Sequence, residues 1–151
     1  AVLLRRKISA GDALQYVAAQ MSGAMVGAWL ATGVTGTVFV AAPDPGASIS
    51  AVLTVEVAFT FMLDLVVLNT ATDDAVSGNS FYGLAIGFTV VVGAFAGGSV
   101  SGGAFNPAVG IGPALAAVGH ASVGHTWIYA VGPFIGGAIA AAVYNLQHPK
   151  K

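Results

Sequence analysis

Few residues in this 151-residue sequence could do chemistry, and those few stand in apolar surroundings. Glu56 and Asp64 are acids within one hydrophobic run, eight positions apart. On a helix that separation is about two turns, a poor arrangement for shared acid–base catalysis. Thr60 lies one turn on from Glu56 and shares its face. Asn106-Pro107-Ala108 follows a glycine- and serine-rich run from Gly97 to Phe105. Asn is favoured as a helix N-cap and Pro at the first helical position, so the tripeptide predicts a helix start. The Asn106 side-chain oxygen would be used in capping, leaving its NH₂ free to donate to a solute. His120 and His125 have no second ligand at metal spacing, and a solvated loop role is expected for them. The absence of cysteine excludes disulfides, thiolate metal sites and cysteine nucleophiles.

The elements that must position these residues read as membrane spans. The chain is 56% hydrophobic and 7% charged, whereas soluble domains carry about 25% charged residues. No Asp, Glu, Lys or Arg occurs from Ala75 to Pro149, nor from Ala13 to Pro43. A crossing needs about 20 apolar residues. Four spans are expected, at about 14–38, 49–69, 82–96 and 126–145. Gln20 is the main polar group inside the first. Pro43-Asp44-Pro45-Gly46 is a turn, and Thr72-Asp73-Asp74 with Ser77-Gly78-Asn79 makes the next polar connection. Trp127, Tyr129 and Tyr144 are candidate interfacial anchors. Phe88, Phe95 and Phe134 are expected to pack rather than gate. Ala1 to Leu4 run straight into Arg5-Arg6-Lys7, the reverse of a signal-peptide order.

All five basic residues lie at the ends: Arg5, Arg6 and Lys7, then Lys150 and Lys151. An even number of spans puts both ends on one side, and basic loops favour the cytoplasm. Both ends are therefore expected to be cytoplasmic, with Asp44 outside. The net charge of −1 points to no nucleic-acid partner, and no cofactor is implied.

Tyr16–Ala28 resembles Tyr129–Ala141 at an offset of 113 residues. Small residues recur every four positions: Gly23 with Gly27, and Gly132 with Gly136 and Ala140. Such faces allow close helix approach in lipid. The two spans would run in opposite directions, which makes the repeat inverted, with a functional site expected near the midplane. The alternative is that two glycine- and alanine-rich helices look alike by composition.

The stretch from Asn106 to about Val118 would make a helix of about 20 Å, too short to cross. It predicts a loop dipping in from outside and a half-helix returning outward. Irregular backbone survives at membrane depth only when buried in protein or lining a watery cavity. Loop carbonyls and the positive half-helix end would suit a neutral polar solute and repel cations. The alternative is an outer loop with a surface helix.

Ser101-Gly102-Gly103-Ala104-Phe105-Asn106-Pro107-Ala108-Val109, with Gly112-Pro113-Ala114-Leu115, resembles the second Asn-Pro-Ala motif of the aquaporin (major intrinsic protein) family. Glu56-Val57-Ala58-Phe59-Thr60-Phe61 resembles that family's glutamate-bearing helix, and Tyr16–Gly27 its third helix. The resemblance implies an all-α membrane protein: a partial aquaporin-like right-handed bundle of four spans plus a re-entrant half-helix. It implies that 1–7 ends a first half-helix and that 8–40, 49–70, 80–97 and 124–146 are the family's third to sixth helices. The segment 98–119 would be the re-entrant loop and half-helix. Two spans and the first motif would precede Ala1.

The resemblance further implies a passive channel for water, with small neutral solutes and membrane lipid as partners, and a homotetramer. The Asn-Pro-Ala motif with the half-helix dipole excludes protons in the family. Asn106, Pro107 and Ala108 would form the pore motif, Gly102, Gly103 and Ala104 would offer lining carbonyls, and Glu56 would buttress the loop. A protonated Glu56 bonded to a neighbouring helix is the alternative. The selectivity constriction would fall on Ala94, Gly103 and Val109. Most relatives carry Arg where Val109 stands, so a wider, less polar filter is expected, passing ammonia, urea, hydrogen peroxide or glycerol. Gly110 argues mildly against glycerol, because glycerol facilitators usually carry Asp there. The family usually has an apolar residue where Asp64 stands; a place near the cytoplasmic mouth or a partner within the bundle are both open. An intramembrane enzyme or a non-conducting structural protein are the competing readings.

Overall fold

The computed structural model describes residues 1–117, 119 and 124–149. It contains five α-helices: α1 (Ala10–Thr35), α2 (Ile49–Ala71), α3 (Tyr82–Ser101), α4 (Pro107–Ala116) and α5 (Ile128–Gln147). A 3-10 turn, Asp74–Val76, lies between α2 and α3. Helices α1, α2, α3 and α5 are long and apolar enough to cross a membrane. With 10 residues, α4 rises about 15 Å and is too short to cross.

Local chemistry sets the ends. Ser9 and Asp12 form a capping box at the start of α1, and Ser48 caps α2 through Ala51 N–H. Gly36 closes α1 in the left-handed region, so this helix stops at Thr35 and the expected extension to Val38 is unwound. Helix α3 is longer than its composition suggests. The Gly97–Ser101 run continues the helix and ends at Gly102, φ 87°. The irregular linker is therefore only 102–106.

Glycines let the helices touch. A Cβ on Gly132 would stand 2.6 Å from that of Glu56, and one on Gly136 would stand 2.6 Å from the Val57 carbonyl; this is the seam between α5 and α2. Helix α4 is wedged between α5 and α1, with Gly110 against Tyr129 and Gly112 against Ala24. Trp29 on α1 donates to the Ala116 carbonyl, one of the unpaired acceptors at the end of α4. On α3, Gly93 and Gly97 accommodate the Phe59 ring, and Gly93 also meets Phe105.

Both ends of the described chain lie on one face. Arg5 sits over the Tyr144 ring at 3.5 Å, and Lys7 pairs with Asp74 at 2.8 Å. Tyr129 and Tyr144 are not interfacial anchors: they are 0% and 2% exposed, because their hydroxyls are taken by Ser101 O and Asp73 Oδ2. Trp127 is exposed, as are Phe88 and Phe95, whose rings therefore do not pack within this chain.

Candidate functional site

The linker 102–106 must enter the bundle without regular hydrogen bonding, so its backbone needs other partners. Glu56, fully buried on α2, supplies them. Its carboxylate accepts from Phe105 N–H at 2.8 Å, Ala104 N–H at 3.2 Å and the Ser101 hydroxyl at 2.7 Å. Ser101 Oγ accepts in turn from Gly103 N–H. Thr60, one turn along α2, donates to the Phe105 carbonyl at 3.1 Å. Phe105 is thus held by both backbone groups in the left-handed region, φ 49°, a conformation that costs about 1–3 kcal/mol for a non-glycine residue. Its ring is fixed against Phe59, with centroids 5.3 Å apart.

Other elements close the linker from the opposite side. Tyr129 donates to the Ser101 carbonyl, and Ala41, Ala104 and Tyr129 form a small buried cluster. Asp44 N–H donates to Val100 O at 3.0 Å, which brings the α1–α2 connection onto the end of α3. The Gly102 Cα approaches the Ala42 backbone so closely that a Cβ would stand 2.8 Å from its oxygen.

This clamp fixes Asn106. Its Oδ1 accepts from Ala108 N–H at 2.9 Å, and its carbonyl accepts from Val109 and Gly110 N–H. Pro107 has no N–H to satisfy. The first turn of α4 is therefore saturated, while the Asn106 side-chain nitrogen donates to no described residue. No described hydrogen bond uses the carbonyls of Gly102, Gly103 or Ala104. A cavity of about 530 Å³ is lined by Asn106, Pro107, Thr60, Asp64, Gln20 and Phe134, among others. Phe134 thus faces this space rather than packing inside the bundle.

The expected constriction residues lie on three different elements. Ala94 is exposed on α3, Gly103 is half-buried in the linker at φ 67°, and Val109 is 44% exposed on α4. Gly110 has no room for a side chain, since a Cβ would stand 2.2 Å from the Tyr129 Cβ. His125 is exposed, and His120 lies outside the described residues. Among the described residues no group of three His, Cys, Asp or Glu could hold a metal. Ser101 and Tyr129 were not identified from sequence as parts of the site. A hydroxyl directly before two glycines was the only available sign for Ser101.

The profile of the family described as Major intrinsic protein matches residues 1–144. The chain is 37% identical over 137 residues to the probable aquaporin NIP-type of Nicotiana alata, covering 87% of this chain and 48% of that protein. It is 35% identical over 148 residues to glycerol uptake facilitator protein-like 6 of Lactiplantibacillus plantarum, covering 93% and 67%. It is 33% identical over 150 residues to the lens fiber major intrinsic protein of Lithobates pipiens, covering 96% and 56%. The chain spans about half the length of most of these curated relatives. With a braced Asn-Pro-Ala half-helix among membrane-length helices, the chain belongs to the major intrinsic protein family.

Proposed function

We propose that this chain forms the larger part of a passive transmembrane conduit for water and small neutral solutes. The observation that carries the reading is the free NH₂ of Asn106, at the start of a half-helix, on the wall of the 530 Å³ cavity. A solute passing there meets one oriented donor and the positive end of α4. Water can accept from the amide, and a cation is repelled. The carbonyls of Gly102, Gly103 and Ala104, in the linker just before Asn106, are assigned as further acceptors for the solute. Glu56 and Thr60 act by holding this linker in place.

Ala94, Gly103 and Val109 are the residues this chain would contribute to a constriction. All are small or apolar, which favours a filter wider than that of a strict water channel. One of the relatives bears a glycerol-facilitator name, and transport of urea, ammonia or glycerol with little preference for water is the second reading, favoured by Val109. Both chain ends are assigned to the cytoplasm by their basic residues, and the assembly is assigned as a homotetramer by family analogy. Stopped-flow swelling of proteoliposomes tests the reading. Water flux above that of empty vesicles, with faster equilibration of urea or glycerol, is expected. Exclusion of every solute but water would remove the wide filter, and no water flux would remove the conduit.

A further inference from the structure

His148, just past the end of α5, is a titratable group that the proposed conduction does not use. Its ring stacks on Tyr144, with centroids 4.1 Å and planes 14° apart. The Arg5 guanidinium stands 3.5 Å from the centroid of the same Tyr144 ring, so sterics put it on the opposite face. Nδ1 of His148 lies 3.1 Å from the Tyr144 carbonyl, and Nε2 lies 3.3 Å from Asp73 Oδ2. Asp73 belongs to the α2–α3 connection, where its Oδ1 accepts from Ala75 N–H. That connection borders a cavity of about 470 Å³ through Thr72, Asp73 and Asn79, with Val2 and Lys7 from the chain start. Val2 also lines the cavity that holds Asn106.

Both ring nitrogens of His148 thus face oxygens that can only accept. A carbonyl has no proton to give, and neither has an ionised carboxylate. A neutral imidazole carries one N–H, which would leave one of the two contacts between lone pairs. An imidazolium donates through both. We propose that His148 is a proton-operated latch: doubly protonated, it holds the α2–α3 connection against the end of α5, and singly protonated, it lets go. Among the described residues, the charged groups facing the ring are Asp73 from the connection and, across Tyr144, Arg5 from the chain start. Tyr144 is its titratable neighbour on α5. Asp73 favours the second proton and Arg5 opposes it, while Lys7 and Asp74 are paired with each other nearby. The Tyr144 hydroxyl holds the Asp73 carboxyl below its usual range, so Asp73 stays ionised and keeps that hydrogen bond when the ring lets go. A state that binds one more proton is favoured as pH falls and disfavoured as it rises. Imidazoles change charge between about pH 5 and 8, so the latch closes toward the lower end of that window and opens toward the upper.

Amide hydrogen exchange of residues 74–79 in micelles, corrected for the intrinsic rate at each pH, reads the latch. In the native protein, exchange at about pH 8 is expected to be about threefold faster than at about pH 5.5, the scale of one partly exposed ion pair. His148→Gln keeps a side-chain donor without a titrating group, and it should exchange alike at both. A pH effect that survives in His148→Gln, or no effect in the native protein, overturns the latch. Ring ¹⁵N spectra of the native protein give an independent reading. N–H on both ring nitrogens is expected while the connection is protected, and a single N–H in that state also overturns the latch. Neither readout uses flux, so the latch and the conduit stand or fall separately.

Discussion

At the scale of single residues, Glu56 bonds the backbone that leads into Asn106. Phe105 is held in a strained left-handed conformation because its N–H is bonded to Glu56 and its carbonyl to Thr60. Removing the carboxylate leaves the buried N–H groups of Ala104 and Phe105 without acceptors. Each such group costs about 1–3 kcal/mol, so Glu56→Ala is expected to lose about 2–6 kcal/mol and to release the linker. Thermal unfolding in micelles should show a lower Tm, and permeability should fall with it. Glu56→Gln retains one acceptor oxygen but sets an NH₂ against a donor, and an intermediate loss is expected. A Glu56→Ala protein as stable as the native one would mean that the linker is held by other groups. The helix start at Asn106-Pro107 was legible in the sequence because capping preferences are local. The left-handed Phe105 was not, since nothing in a phenylalanine announces that two side chains 45 or more positions away will fix its backbone.

At the scale of elements, four membrane-length helices could be read from charge-free runs, and their ends could be read only approximately. The Gly97–Ser101 run looks like loop by composition, yet it is helical. Its glycines save space: Gly97 admits the Val55 and Phe59 side chains, and Ser101 reaches Glu56. Tertiary packing overrides intrinsic propensity there. Tyr144 was misjudged for a related reason, because its partner lies on another element. The Tyr144 hydroxyl donates to Asp73 at 2.7 Å, His148 lies 3.3 Å from the same carboxylate, and Arg5 covers the Tyr144 ring. Three segments, the chain start, the α2–α3 connection and the end of α5, are tied at this point. The Tyr144 hydrogen bond, followed by that from Ala75 N–H, holds the Asp73 carboxyl below its usual range. A group with a lowered folded pKa stabilises the fold above its unfolded pKa, about 3.9, and loses that contribution as pH falls through the lower folded value. The tie should therefore persist at neutral pH and fail only in strong acid. Limited proteolysis after Lys7 across an acid series is expected to accelerate at low pH in the native protein. In Asp73→Asn it should be fast and nearly independent of pH. An identical acid profile in both proteins would assign the change to other groups.

At the scale of the whole molecule, the repeat expected from sequence and the packing can be set against each other. Gly132 and Gly136 of α5 are in tight contact with α2, whereas Gly23 and Gly27 of α1 meet nothing within 4 Å. Helix α1 has no fully buried residue and touches the rest mainly through α4. Two sequence stretches of the same pattern are thus in different environments. The relatives are about twice as long as most of the matches to this chain, and a counterpart of α2 in that additional length would give the α1 glycines a partner. Alanine substitution separates the cases. Gly136→Ala drives a Cβ into backbone atoms of α2, and overpacking of this kind costs about 1–3 kcal/mol or more. Gly23→Ala in the 151-residue chain meets no atom and should gain about 0.5–1 kcal/mol from helix propensity. Placed in a protein of the relatives' length, Gly23→Ala should become destabilising on the scale of Gly136→Ala if its face packs on such a counterpart. Thermal unfolding of each variant in micelles, in the short and the long chain, reads the difference directly. A Gly23→Ala that is harmless in both would mean that the resemblance between the two helices is one of composition, because a true structural repeat would use both glycine faces alike.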